Sequence, residues 1–283
     1  MNPATSSPRR RGDSAPSAPT GPALAFADVT KCFPDGTVAL AGVDLEVAVG
    51  EFVSVVGPSG CGKSTLLRIA SGLSQATGGT VTVPTGKGKI GYVFQDPTLL
   101  PWRTVQANVE LLAELDGLPK AERRRRADNA IHLVGLDEFT GHRPHALSGG
   151  MRMRVSLARA LTLQPELFLF DEPFGALDEI TRQRLNDELL QLYLTQRFTA
   201  LFVTHSVTEA VFLSTRVVVL SGRPGRVLGD FPVPFDYPRP PGLRFGQDFA
   251  QLAGEVSACL RGELRHRGGP PLLDHQVEGR TRR

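Results

Sequence analysis

Short apolar runs separated by longer mixed stretches set the pattern of this chain. Glu51-Phe-Val-Ser-Val-Val56, Leu167-Phe-Leu-Phe-Asp-Glu172, Ala200-Leu-Phe-Val-Thr-His205 and residues 216–220 are nearly continuous in Val, Leu and Phe. Such runs predict strands buried on both faces. Residues 23–29 and 43–49 read as further strands, with a turn at Pro34-Asp-Gly36 between them. Lys89-Ile-Gly-Tyr-Val-Phe94 reads as a strand ending on Gln95-Asp96-Pro97, after a Thr/Gly turn at Thr77-Gly-Gly-Thr80. Helical spacing of apolar residues runs from Leu66 to about Gly72, over 104–116 and 119–134, from Ser148 through Leu161, from Ser206 through Phe212, and over 245–261. Strands alternating with helices predict an α/β fold on an open parallel sheet.

The ends read differently. Residues 1–22 are rich in Pro, Ser, Ala, Thr and Arg and predict a disordered tail. From Ser221 onward the chain turns rich in Pro and Gly, and it closes on a basic segment. The 283 residues are enough for one large α/β domain, or one domain with subdomains. An apolar content of 41% with 22% charged residues is that of a soluble globular protein. No apolar run nears the roughly 18 residues needed to cross a bilayer. Arg9-Arg-Arg11 is followed by no apolar core, so neither a secretory nor a twin-arginine leader is expected. A membrane role would have to come through a partner. The net charge of +3 gives no indication of nucleic acid, and Arg123-Arg-Arg-Arg126 reads as a solvated helix turn. Cys32, Cys61 and Cys259 lie far apart without a Cys-x-x-Cys, so neither a disulfide framework nor a zinc site is predicted and a reducing cytosol fits.

The chemistry centres on Gly57-Pro-Ser-Gly-Cys-Gly-Lys-Ser-Thr65, set between a predicted strand and a predicted helix. That context makes it a phosphate-binding loop. Gly57, Gly60 and Gly62 let the backbone turn tightly and aim its N–H groups inward, with Pro58, Ser59, Cys61 and Thr65 completing the loop. Lys63 would reach the β- and γ-phosphates of a nucleotide, and the Ser64 hydroxyl would take one Mg²⁺ position. Cys61 is either oxidation-sensitive or simply a small residue facing the helix. Phe33, beside the first turn, offers an adenine-stacking face or ordinary packing. Gln95, Asp171-Glu172 and His205 each end a predicted strand, the edge at which ligands bind open α/β sheets. An Asp-Glu pair presented there suits Mg²⁺ and water chemistry. Ser148 is a good N-cap, and Gly149 and Gly150 allow close approach of another chain or an anion. Thr98-Leu-Leu-Pro-Trp102 is apolar yet carries loop punctuation, which reads as a partner surface or as a buried loop.

Taken in order, the phosphate loop, Gln95, Leu147-Ser-Gly-Gly-Met151, the strand 167–172, Gly175-Ala-Leu-Asp178 and His205 strongly resemble the six ordered motifs of the ATP-binding subunit of an ABC transporter, over about residues 23–260. Phe94-Gln-Asp-Pro-Thr-Leu-Leu-Pro-Trp-Arg-Thr-Val105, Glu172-Pro-Phe-Gly-Ala-Leu-Asp178, Ser221-Gly-Arg-Pro-Gly-Arg-Val227 and Arg244-Phe-Gly-Gln-Asp-Phe-Ala250 are similar to the nitrate/sulfonate/taurine importer branch. Importers of thiamine-precursor pyrimidines, cyanate or bicarbonate share much of that pattern. Two positions depart from the family. Met153 stands where Gln is usual, which would remove an amide near the dimer face, and Phe33 stands where Tyr is frequent.

The resemblance implies a phosphate-loop NTPase with a RecA-like core, an antiparallel β subdomain and a helical subdomain. It divides the chain into a tail (1–22), an ATP-binding domain (23–225, helical part about 97–160) and a C-terminal extension (226–283). It implies ATP and Mg²⁺ as cofactors. By that resemblance Phe33 would stack adenine, residues 57–65 would hold the phosphates, and Ser64 and Gln95 would hold Mg²⁺ with Asp171 acting directly or through water. Lys63 would neutralise charge on the leaving γ-phosphoryl, Glu172 would be the general base and His205 would contact the γ-phosphate. Ser148, Gly149 and Gly150 serve the nucleotide of a second ATP-binding subunit in a head-to-tail pair, expected to be a homodimer, which Asp178 helps to join. The subunit would lie on the cytoplasmic face of the membrane beneath a separate permease, with a solute-binding protein acting indirectly and no nucleic acid bound. The Leu99–Trp102 loop and Gln95 would transmit motion to the permease. A soluble ABC ATPase acting on DNA or ribosomes, and a nucleotide switch without turnover, are the readings from other classes.

Overall fold

The structure, a computed structural model, describes residues 21–83 and 90–263. Most of the expected tail, the basic C-terminal end and Lys89 lie outside the described residues. The chain forms β1 (Leu24–Cys32), β2 (Val38–Val47), β3 (Phe52–Val56), α1 (Lys63–Ala70), β4 (Gly78–Thr82) and β5 (Ile90–Val93). Helices α2 (Val105–Leu115), α3 (Lys120–Leu133) and α4 (Gly149–Leu161) follow, then β6 (Leu167–Asp171) and α5 (Glu179–Gln196). The last elements are β7 (Thr199–Thr204), α6 (Val207–Leu213), β8 (Arg216–Leu220), β9 (Val227–Pro232) and α7 (Gln247–Leu260).

The main sheet runs β5-β6-β7-β3-β8-β9. Its first five strands are parallel and β9 is antiparallel to β8. Every residue of β3, β6 and β7 is buried, because both faces are covered. Phe52, Val56, Phe168, Phe170 and Phe202 turn to one face, which α5, α6 and α7 cover. Val53, Val55, Leu167, Leu169, Leu201 and Val203 turn to the other, against α1 and the β1–β2 hairpin. Burial of each such side chain stabilises the fold by about 1.5–3 kcal/mol. These unbroken runs therefore hold a fixed register, and register aligns the strand ends: Val56 opposite Thr204, Asp171 opposite Val203, Val93 opposite Phe170. A smaller antiparallel sheet, β2-β1-β4, covers the phosphate-loop side. Helices α2, α3 and α4 form their own cluster around Val109, Ile131 and Val155.

Several local expectations change. The Thr77–Thr80 turn lies largely within β4, and Thr77 N–H bonds to Thr30 O at 2.8 Å. Gly79 permits this, since a Cβ there would sit 2.2 Å from Asp28 O. The arginine run is paired rather than simply solvated: Arg123 and Arg124 face Glu110 on α2, while Arg125 and Arg126 grip Glu122. Those two guanidinium groups, Arg125 first, hold the Glu122 carboxyl down to about 2. Met153 is only 4% exposed and packs into the core beside the main sheet, so the missing amide lies on no open face. Past residue 225 the chain stays in the same sheet through β9, and Arg239 donates to the carbonyls of Val211, Phe212 and Ser214, tying the later chain to the end of α6.

Candidate nucleotide site

The ends of β3, β5, β6 and β7 deliver the expected residues to one sheet edge. After β3, Gly60 (φ 75°) and Gly62 (φ 109°) take left-handed backbone, and a Cβ on Gly62 would lie 2.7 Å from Leu40 Cδ2. Gly62 caps α1 without a side-chain bond, so the first N–H groups of the helix stay available to an anion. Lys63 is 4% exposed, and its Nζ donates to Gly57 O (2.9 Å) and Pro58 O (3.1 Å). The same ammonium lies 3.3 Å from Glu172 Oε1. Glu172 Oε2 is 2.9 Å from His205 Nδ1. Lysine, carboxylate and imidazole thus form one chain of contacts. Glu172 has φ 44°, a conformation that non-glycine residues adopt at a cost, held here by its N–H bond to Val203 O.

A second pair lies beside the first. Ser64 Oγ donates to Asp171 Oδ1 at 2.7 Å, and Tyr92 OH donates to Asp171 Oδ2 at 3.1 Å. Burial, reinforced by the Asp171 charge, pushes the Tyr92 phenol up, so it remains a donor. Gln95 follows β5 on the neighbouring strand, exposed, with no hydrogen bond to this pair. Among the described residues no group of three or more His, Cys, Asp or Glu side chains could hold a metal by itself. A hydroxyl and one carboxylate beside a phosphate cradle are nevertheless the donors Mg²⁺ uses when substrate oxygens and water complete its shell.

Phe33, Lys63, Ser64, Thr65, Glu172 and Arg223 line one cleft of about 150 Å³. Phe33 is 38% exposed there, with Lys31 Nζ 5.4 Å from its ring centre. Cys61 is buried with its Sγ beside Gly57, and burial pushes its thiol up, which disfavours the oxidation-sensitive alternative. A larger cleft of about 550 Å³, lined by Arg126, Gln164, Phe168 and Phe198, opens at the amino-terminal ends of β6 and β7, away from these groups.

Ser148, Gly149, Gly150 and Asp178 come together, but elsewhere. Ser148 caps α4 by accepting from Met151 N–H, and Asp178 caps α5 by accepting from Thr181 N–H, which holds its carboxyl low. A Cβ on Gly149 would lie 3.0 Å from Leu177, and one on Gly150 would lie 3.1 Å from Thr181. None of the four lines the Phe33–Lys63 cleft.

Sequence reasoning did not reach Tyr92, Arg223 or a buried link behind His205. In that link Thr204 Oγ1 donates to Glu209, which is 5% exposed, and accepts from Ser206 N–H at 3.0 Å. Arg182 Nε lies 4.0 Å from Glu209, while Arg182 Nη2 donates to Leu177 O. Burial raises the Glu209 carboxyl above its ordinary 4.5. Between those two values the folded chain binds the extra proton, so this group's contribution falls as pH rises through that window. Glu209→Gln is therefore expected to gain melting temperature relative to wild type as pH rises through it; a gap constant with pH would contradict this.

The family profile described as ABC transporter matches residues 40–175. An aliphatic sulfonates import ATP-binding protein of Rhodopseudomonas palustris is 46% identical, covering 85% of this chain and 85% of that protein. A nitrate import ATP-binding protein of Synechococcus elongatus is 44% identical, covering 76% and 83%. The dimeric post-hydrolysis structure of an ATP-binding cassette bound to ADP and Pi matches with a TM-score of 0.66 and 33% identity, covering 75% of this chain and all of that one.

Proposed function

The chain belongs to the ABC transporter family as an ATP-binding, ATP-hydrolysing subunit, and from that premise we propose that it powers import of a small anion of the nitrate, sulfonate or taurine kind through a separate membrane permease. The observation that carries the importer reading is that relatives aligned over most of both chains are named for sulfonate and nitrate import. Two copies pair head to tail, so that Ser148, Gly149 and Gly150 of each face the nucleotide cradled by the other, and Asp178 lies at the joint. The chain is held at the cytoplasmic face of the membrane by the permease. Among its described residues no helix is long and apolar enough to cross.

The chemistry follows from the two pairs. The Gly57–Thr65 loop offers N–H groups and the α1 terminus to the phosphates, while Phe33 stacks the adenine. Lys63 exchanges the Glu172 carboxylate for phosphate oxygens, which neutralises charge on the departing γ-phosphoryl. That exchange frees Glu172 to accept the proton of the attacking water, with His205 orienting the carboxylate through their 2.9 Å contact. Ser64 and Asp171, joined by Gln95, would hold Mg²⁺. When bound, the ion neutralises charge shared by the β- and γ-phosphates.

Affinity purification of the chain from membranes of its source organism tests the importer reading. Recovery with a multi-span permease and a solute-binding protein is expected, and the ligand of that binding protein names the solute. Recovery with ribosomes or DNA and no permease would overturn it. Trp102, 68% exposed in the loop before α2, is the expected contact with the permease. Trp102→Ala should lower solute uptake at least about tenfold while ATP turnover of the purified chain persists, since large exposed aromatics dominate interfaces. Unchanged uptake would remove this loop from coupling.

A further inference from the structure

The Ser221-Gly-Arg-Pro-Gly-Arg226 stretch has no part in the roles above, yet its Arg223 lines the nucleotide cleft. Ser221 N–H donates to Arg226 O at 2.8 Å, and Ser221 Oγ donates to Pro224 O while accepting from Arg226 N–H. The turn is stitched to β2 through Gly225 N–H to Ala39 O (2.9 Å) and Ala41 N–H to Gly225 O (3.1 Å). A Cβ on Gly225 would lie 2.4 Å from Cys61 O, so only glycine lets this turn sit against the phosphate loop. The result is a built support for one side chain, Arg223.

Arg223 Nε donates to Gly60 O at 3.1 Å, and the residue lines the same cleft as Phe33, Lys63 and Ser64. Its two Nη groups make no hydrogen bond among the described residues. Its charge also reaches the turn after Phe33: the Asp35 carboxyl is held low first by the Thr37 N–H, with Arg223 adding to the effect. The guanidinium is therefore anchored on the phosphate loop inside the cleft that Phe33 also lines. An arginine anchored through Nε alone keeps its Nη fork open to pair with an oxyanion.

We infer that Arg223 is a nucleotide ligand, its guanidinium donating to the phosphate chain at the ribose end, between Phe33 and Lys63. This rests on the reading that the cleft holds ATP. Equilibrium binding of ATP, ADP, AMP and adenosine to wild type, Arg223→Ala and Arg223→Lys tests it. Arg223→Ala is expected to weaken ATP, ADP and AMP alike by about tenfold, the scale of one charge-assisted hydrogen bond. Adenosine should bind equally to both proteins, and Arg223→Lys should recover part of the loss. Melting of the nucleotide-free variants separates lost affinity from lost fold. If alanine unfolds the chain, Arg223→Gln, which keeps a donor for Gly60 O, carries the same expectation. Wild-type affinity for all four ligands in Arg223→Ala would overturn the inference and leave the ATP site standing, with Arg223 reduced to a clamp on Gly60. An equal loss for adenosine and AMP would also overturn it. Failure of wild type itself to bind ATP would instead remove the reading beneath it.

Discussion

Glu172→Gln is expected to lower steady-state ATP turnover at least about 100-fold, the smaller end of what a positioned general base contributes. The amide keeps the volume of the carboxylate and can still face His205, but it has no basic oxygen for the proton of the attacking water. It also cancels the 3.3 Å ion pair with Lys63, leaving that ammonium free for phosphate. Binding of Mg-ATP should therefore be as tight as in wild type, or tighter. Phosphate release and equilibrium nucleotide binding, measured on the same preparation, separate the two effects. Turnover near that of wild type would take Glu172 out of the base role.

Lys63→Ala has the opposite signature, with binding lost first. At 4% exposure the ammonium joins three groups, Gly57 O, Pro58 O and Glu172. Removing it takes a cation from the phosphate position and leaves the Glu172 charge facing an anionic ligand. Affinity for ATP should fall by at least about tenfold, since hydrogen bonds to charged groups are worth about 1.5–3 kcal/mol. The loop carbonyls lose their donor too, so some loss of melting temperature is expected beside the loss of binding. Retained affinity in a folded Lys63→Ala chain would show that the phosphates do not lie on this loop.

Much of this arrangement was legible because buried parallel strands leave a plain trace. The runs ending at Val56, Asp171 and Thr204 carry almost no polar residue, so each end, and the group just beyond it, could be read directly. The register of the sheet then brings Lys63, Glu172 and His205 together without any local signal having to say so. Elements whose pattern is diluted were harder to read. α5 shares its length between Leu185, Leu189, Leu190 and many charged residues, so its pattern alone gives no clear helix. β9 contains Gly229, Asp230 and Pro232 and reads as a loop; an edge strand tolerates them because one side has no partner to satisfy.

The residues missed at the site are those whose role depends on distant packing. Tyr92 reads as one more aromatic in β5 until Asp171 is aligned beside it on the next strand. Glu209 looks like a polar position in the first turn of α6, yet it is buried against Thr204 and Arg182. Arg223 stands far from the phosphate loop in sequence, and only the Gly225 approach to Cys61 brings it over Gly60. Met153 shows the converse. At the motif position where the family's Gln would set an amide near the dimer face, Met153 turns into the core, because the buried side of α4 runs through Met153 as well as Val155 and Ala158.

Under the proposed pairing each chain supplies half of two ATP-hydrolysing sites, with its phosphate loop in one and its Ser148–Gly150 segment in the other. Phosphate release from Mg-ATP by the purified chain, followed across protein concentration, tests it most directly. Turnover per chain should rise with concentration, level off once sedimentation shows pairs, and fall to background when EDTA removes Mg²⁺. A turnover per chain that stays the same on dilution to single chains would contradict the paired site, and the absence of phosphate release at any concentration would contradict the ATPase itself.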